Sequence, residues 1–133
     1  MRENAATMPA TKEASAFPEV FDALKKLLQP YEKKLKVMEH TPVRYMLGGT
    51  IVYKGKPRET SLMAVCSMKN YVSIHLLPIY MCPESATGIS AELKKHKQGK
   101  ACFNFDAVDA KLFKEIEAVA KKSMAACKAK KLF

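Results

Sequence analysis

The sequence predicts an α+β domain: an antiparallel β-sheet with amphipathic N-terminal and C-terminal helices packed on it. Three observations carry this reading. Apolar residues recur at three-four spacing from Phe17 to Tyr31, short strand-like runs separated by turn residues fill the stretch from Val37 to Leu77, and the three-four spacing returns after Asp109. Connections this short between strands favour antiparallel pairing.

Residues 1–14 are polar, small and unpatterned, and are expected to form a disordered tail. A single domain follows over residues 15–128. In its first helix Phe17, Val20, Phe21, Leu24, Leu27, Leu28 and Tyr31 make one apolar stripe, with Ser15 as N-cap and Pro18 in the first turn. Pro30 disfavours a helical Gln29, so the helix should stop near Leu28 and a short separate helix should occupy Pro30 to Leu35. The strand-like runs are KVMEH, VRYML, TIVYK, TSLMAVCSM and YVSIHLL. Lys69-Asn70 between the last two predicts a hairpin, because Asn tolerates the positive φ of a tight turn. SLMAVCSM is apolar at nearly every position, as expected of a central strand covered at least in part on both faces. Pro78 and Pro83 end the sheet segment. GISAELKKHKQGK reads as a short helix opened by Ser90 and closed at Gly99, and ACFNF as a further strand. Asp109 is placed to cap the final helix, with Val108 and Phe113 as a staple; Leu112, Ile116, Val119, Ala120, Ser123 and Cys127 form its stripe. A loose basic tail is expected over residues 129–133.

A chain of 133 residues can bury a core without disulfides or metal. No apolar run approaches the roughly 20 residues that span a bilayer, and the N-terminus lacks the apolar segment of a secretion signal, so no membrane role and a cytoplasmic location are expected. The cysteines, Cys66, Cys82, Cys102 and Cys127, form no CxxC pair and read as reduced thiols. Three should be buried, with Cys82, beside Pro83 in a loop, the one to test for reactivity. The net charge is +10, and only Arg2, Arg44 and Arg58 among the 23 basic residues are arginines. A field of lysines attracts polyanions loosely, whereas base readout and phosphate clamps favour arginine.

The stretch NYVSIHLLPIYM places His75 inside an apolar run. In a strand, Tyr71, Ser73 and His75 share one face and Val72, Ile74 and Leu76 the other. Arg44 or Tyr45 and Tyr53 from neighbouring strands, with Tyr80 beyond Pro78, would complete a ligand-binding face of aromatic walls and polar hooks. Lys94, Lys95, Lys97 and Lys100 form the densest charge cluster and a second, anion-binding candidate, although lysines at a helix C-terminus also suit the helix dipole. No HxH, HxxxH, CxxC or GxSxG motif occurs, so no metal, no cofactor and no catalytic residues are predicted.

The succession FPEVFDALKKLL, MAVCSMKNYVSIHLLP, LKKHKQGKACFNF and a final amphipathic helix, from Phe17 to about Ala126, resembles the YdhG-like family of small bacterial domains of unknown function. The resemblance implies an α+β fold with an antiparallel sheet and no shared catalytic motif. One branch of that family is described as a frataxin-like iron chaperone. Oxygen-rich iron sites need clustered carboxylates, whereas the thirteen acids here are spread along a cationic chain. The expected function is therefore non-enzymatic binding of a small molecule or a protein partner, with an enzyme whose catalytic groups come from distant strand ends left open. Nucleic-acid or other polyanion binding through the lysines is the alternative, an iron-binding chaperone a third reading, and a homodimer through a partly apolar sheet face is open.

Overall fold

The computed structural model describes residues 17–132, so the Ser15 cap and the tail over residues 1–14 lie outside the described residues. Helix α1 (Pro18–Leu28) starts with proline at N1, where a missing N–H leaves no hydrogen bond unmade. It buries Val20, Phe21, Leu24 and Leu28 and passes at Pro30 into a 3-10 turn, Gln29–Lys33. Four strands follow: β1 (Lys36–His40), β2 (Arg44–Tyr53), β3 (Lys56–Ser67) and β4 (Val72–Leu76). Next come α2 (Leu77–Met81), a 3-10 turn over Pro83–Ala86, α3 (Ala91–Lys94), β5 (Lys97–Gln98), β6 (Cys102–Phe105) and α4 (Ala110–Ala129). The six strands form one sheet in the order β1-β2-β3-β4-β6-β5, every neighbouring pair antiparallel.

The turns differ in chemistry from those expected. Between β2 and β3 the two-residue loop Lys54-Gly55 has φ of 52° and 77°, the type I′ pattern whose twist matches that of the strands. The hairpin expected between β3 and β4 is present, but Asn70 does not adopt positive φ; a four-residue loop is closed by Met68 N donating to Tyr71 O at 2.8 Å. The helix expected to reach Gly99 ends at Lys94. Its N-cap is as expected, Ser90 Oγ accepting from Leu93 N at 3.1 Å, but Lys97 and Gln98 pair with β6, and Gly99, at φ 71°, serves the β5–β6 turn.

Helices cover one face of the sheet. Tyr45, Leu47, Met63, Val65, Val72, Ile74, Leu76, Phe103 and Phe105 lie in one buried cluster with the apolar stripes of α1 and α4. Each such side chain taken from water contributes about 1.5–3 kcal/mol, so this layer is what holds the fold. The β2–β3 register slips between Leu47 and Gly48, leaving Leu62 as an extra residue on β3, fully buried with the helix-facing set. A bulge of this kind re-aims a side chain without ending the ladder.

Asp109 caps α4 as its sequence suggests, Oδ1 accepting from Leu112 N at 3.0 Å, and the whole expected stripe is buried together with Phe113 and Met124. Val108, the other half of the expected staple, stays 49% exposed. The helix extends through Ala129 and ends in a Schellman turn. Lys131 N donates to Lys128 O, Leu132 N donates to Cys127 O, both at 3.0 Å, and Lys131 takes the left-handed φ of 58°. Leu132 O then accepts from Val52 N at 2.6 Å, on the part of β2 that runs past its pairing with β1. Among the described residues no helix is long and apolar enough to cross a membrane.

Candidate functional site

Cross-strand partners in an antiparallel sheet share a face, so the registers decide what stands beside His75. His75 faces Ala64 on β3 and Cys102 on β6; Ala64 in turn faces Met46 on β2, Met46 faces Glu39 on β1, and Cys102 faces Gln98 on β5. This row crosses all six strands. A second row beside it runs Arg44, Cys66, Ser73, Asn104. Both lie on the face away from the helices, and apart from the buried Ala64 their side chains are half-buried or exposed. Small side chains occupy the central strands (Ala64, Cys66, Ser73, Cys102) and longer ones the flanks (Arg44, Met46, Gln98). By side-chain length alone the face is a shallow trough with the imidazole of His75 standing in it.

The electrostatics of the trough are muted. His75 Nδ1 lies 3.0 Å from Cys102 Sγ. Burial lowers the His75 pKa, and burial raises that of Cys102, with a Ser73 hydrogen bond partly offsetting it. Near neutral pH both groups are therefore uncharged, unlike the thiolate–imidazolium pair of a cysteine nucleophile. Burial also raises the Cys66 thiol, against the opposing pull of Arg44. The Arg44 guanidinium is itself 3.7 Å from the Glu39 carboxylate. At its far end the trough is closed by Asn104 Nδ2 donating to Gln98 Oε1. Cys66 and Cys102 stand on β3 and β6 with β4 between them, two strand spacings of about 4.8 Å apart, beyond the reach of a disulfide.

Of the residues expected on this face, the structure brings together Arg44, Ser73 and His75; half-buried Tyr71, two residues before Ser73, continues their alternation. Tyr45 belongs to the opposite face. It is fully buried, its hydroxyl donates to the Glu32 carboxylate, and His40 packs edge-on against its ring at 5.2 Å. Tyr53 lies at the hairpin end of β2, and its side chain falls outside the described residues. Tyr80 is carried by α2, not by a strand, and the Lys100 ammonium sits 5.6 Å from its ring centre. The four lysines of the anion candidate are exposed but divided among three places: Lys94 and Lys95 at the end of α3, Lys97 on β5, and Lys100 in the turn before β6.

Sequence reasoning missed Cys66, Cys102, Asn104 and Glu39 as members of the face. The signal for two of them was present: once Phe103 and Phe105 point to the core, Cys102 and Asn104 must point away from it. The thiol singled out for a test of reactivity is not exposed either. Cys82 is fully buried, and the half-buried thiols are Cys66 and Cys102. His96 is structural, its Nδ1 donating to Asn104 O at 2.9 Å and its ring stacked on Phe105 at 4.3 Å. Among the described residues no group of three or more His, Cys, Asp or Glu side chains could hold a metal ion. Away from the sheet, a groove of about 710 Å³ runs between the end of α1 and α4, floored by Leu27, Tyr31 and Met124. Lys34, Lys114, Lys121 and Lys128 rim it, with Glu117 also in its lining.

Comparison with family models, with curated proteins and with solved structures finds no match for this chain.

Proposed function

We propose that the chain is a binding module whose uncovered sheet face receives a small polar molecule. One observation carries the reading: the Ala64–His75–Cys102 rung beside Cys66–Ser73–Asn104 gathers hydrogen-bonding groups on a face that no helix among the described residues covers. With His75 neutral and Arg44 beside Glu39, the trough suits an uncharged ligand that both donates and accepts hydrogen bonds. Neutral His75 and Cys102 are the reason for choosing binding over nucleophilic catalysis. A cytoplasmic setting is the compartment that suits four free thiols. We assign the domain to the YdhG-like type on the order of its quoted segments, which fall in α1, β3–β4, α3–β6 and α4.

The test is a thermal-shift screen of wild type and His75→Ala against metabolites, anions and divalent metals, ferrous iron included. A compound that stabilises wild type but not the variant supports the sheet face. A compound that stabilises both equally moves the site elsewhere, and no shift with any compound turns the reading toward a protein partner.

The groove supports a second reading, association with an anionic ligand. Lys114, Lys121 and Lys128 recur every seven residues along one side of α4, over an apolar floor and opposite Lys34. Affinity for a polyanion that falls steeply with added salt and drops in Lys121→Glu would support it; no binding at low salt would remove it.

A further inference from the structure

Cys82 and Cys127 lie outside both surfaces described above. Both are fully buried, one at the end of α2 and the other in the last two turns of α4, with their Sγ atoms 3.2 Å apart. A disulfide bond is about 2.05 Å long, so joining them needs a side-chain movement of roughly 1 Å. The surrounding backbone is held at both positions. Cys82 N donates to Pro78 O at 2.8 Å, Cys82 O accepts from Ser85 N at 3.0 Å and from Ser85 Oγ at 2.7 Å, and Cys127 O anchors the Schellman turn through Leu132 N. The Cys127 thiol also lies 3.5 Å from Pro78 O.

We propose that Cys82 and Cys127 are a disulfide-forming pair, closed by a peroxide and reopened by thiols, that ties α2 to the final turns of α4. Access requires a transient opening of the last turn of α4 against its Schellman bonds and the Val52–Leu132 hydrogen bond. The exposed ion pair Lys130–Glu84, 2.6 Å long, adds a side-chain tether between α4 and the 3-10 turn beside Cys82 in that region. Burial, and after it the neighbouring Cys82, raises the Cys127 pKa, and we take Cys82, just past the end of α2, as the attacking sulfur.

The Cys82 sulfur attacks one oxygen of hydrogen peroxide. The O–O bond breaks, and the departing hydroxide takes the thiol proton and leaves as water, giving the sulfenic acid of Cys82. The Cys127 sulfur then attacks the Cys82 sulfur. The S–S bond forms, the S–O bond breaks, and the hydroxide departs with the Cys127 proton as a second water. Two thiols lose two electrons and one peroxide gains them. With the second sulfur already in contact, the sulfenic acid is captured before it can be oxidised further.

The cross-link joins residues 45 apart in sequence, a long loop whose closure restricts the unfolded chain. The test exposes the intact wild-type protein to graded hydrogen peroxide and maps its peptides without reduction. Exposed Met38 and Met68 serve as the gauge of dose through their sulfoxides. The expected result is a Cys82–Cys127 peptide that appears before those sulfoxides do. With it the melting temperature should rise on the order of 10 °C, and dithiothreitol should reverse the rise. Cys82→Ala and Cys127→Ala should each lose the rise while Cys102→Ser keeps it, with far-ultraviolet circular dichroism checking that every variant is folded. Two free thiols, or a sulfinic acid at either position, at a dose that has oxidised both methionines would overturn the proposal, whatever the variants do.

Discussion

His75 and Cys102 face each other across the β4–β6 pair, Nδ1 3.0 Å from Sγ, and burial opposes a charge on either. A ligand on the proposed face would therefore meet an uncharged pair in a cationic protein.

The pair sets a pH dependence. The pKa of His75 is lower in the folded protein than in the unfolded chain, so between the two values the unfolded chain binds more protons, and stability falls as pH falls. The loss begins near the ordinary histidine pKa of about 6.5 and is complete below the folded value. Melting curves from pH 8 downward should show wild type losing stability relative to His75→Gln in this window. The difference between the two proteins isolates the contribution of His75. Parallel curves would show that His75 takes up its proton without cost to the fold.

Two adjacent glycines should respond oppositely to a methyl group. A Cβ on Gly48 would run into Met38 Sδ and the backbone oxygen of Thr60, and the latter cannot swing aside. Gly49→Ala would meet only Leu35 and Leu62, at 3.7 and 3.8 Å. Urea denaturation should place Gly48→Ala about 1–3 kcal/mol below wild type, with Gly49→Ala much nearer to it. Equal stabilities would mean that the β3 backbone at Thr60 gives way to the new methyl group as readily as the Met38 side chain does.

At the end of α4, Lys131 holds a φ of 58°, where a side chain costs energy that glycine does not. Lys131→Gly should raise stability by about 0.5–1 kcal/mol, and Lys131→Val should lower it. A destabilised glycine variant would show that the Schellman turn depends on the lysine side chain.

Tyr45 anchors the 3-10 turn after α1 to the sheet through its hydroxyl and Glu32. Tyr45→Phe keeps the buried ring and returns the exposed carboxylate to water, so the expected loss is about 1 kcal/mol. It should appear in equilibrium unfolding with little change in the denaturant slope; a loss several times larger would mean that the bond holds more than its own turn.

The helices were legible because a three-four stripe has one physical reading: α1 stops at Leu28 before Pro30, and all six stripe residues of α4 are buried. β3 was legible as a central strand from its unbroken apolar run. What the sequence withheld depends on register and on short polar segments. Lys97 and Gln98 carry no strand signal of their own and pair only because β6 offers its edge. The β3–β4 register centres its turn on Lys69-Asn70, yet Asn70 does not take positive φ, while Lys54-Gly55 turns with a lysine in the left-handed region. Arg44 and Tyr45 were interchangeable until the pairing of Arg44 with Cys66 placed one outward and the other inward. The β4–β6 register in turn seats Cys102 opposite His75, a neighbour 27 residues away that no local spacing reveals.

The hydrogen bond from Val52 N to Leu132 O concerns solubility as much as shape. β2 runs past the end of β1, and its overhang would otherwise present a backbone donor to a strand from another molecule. Leu132 occupies that donor as a plug, so a truncation or a rigid fusion that pulls it away should favour edge-to-edge association before it costs measurable helix.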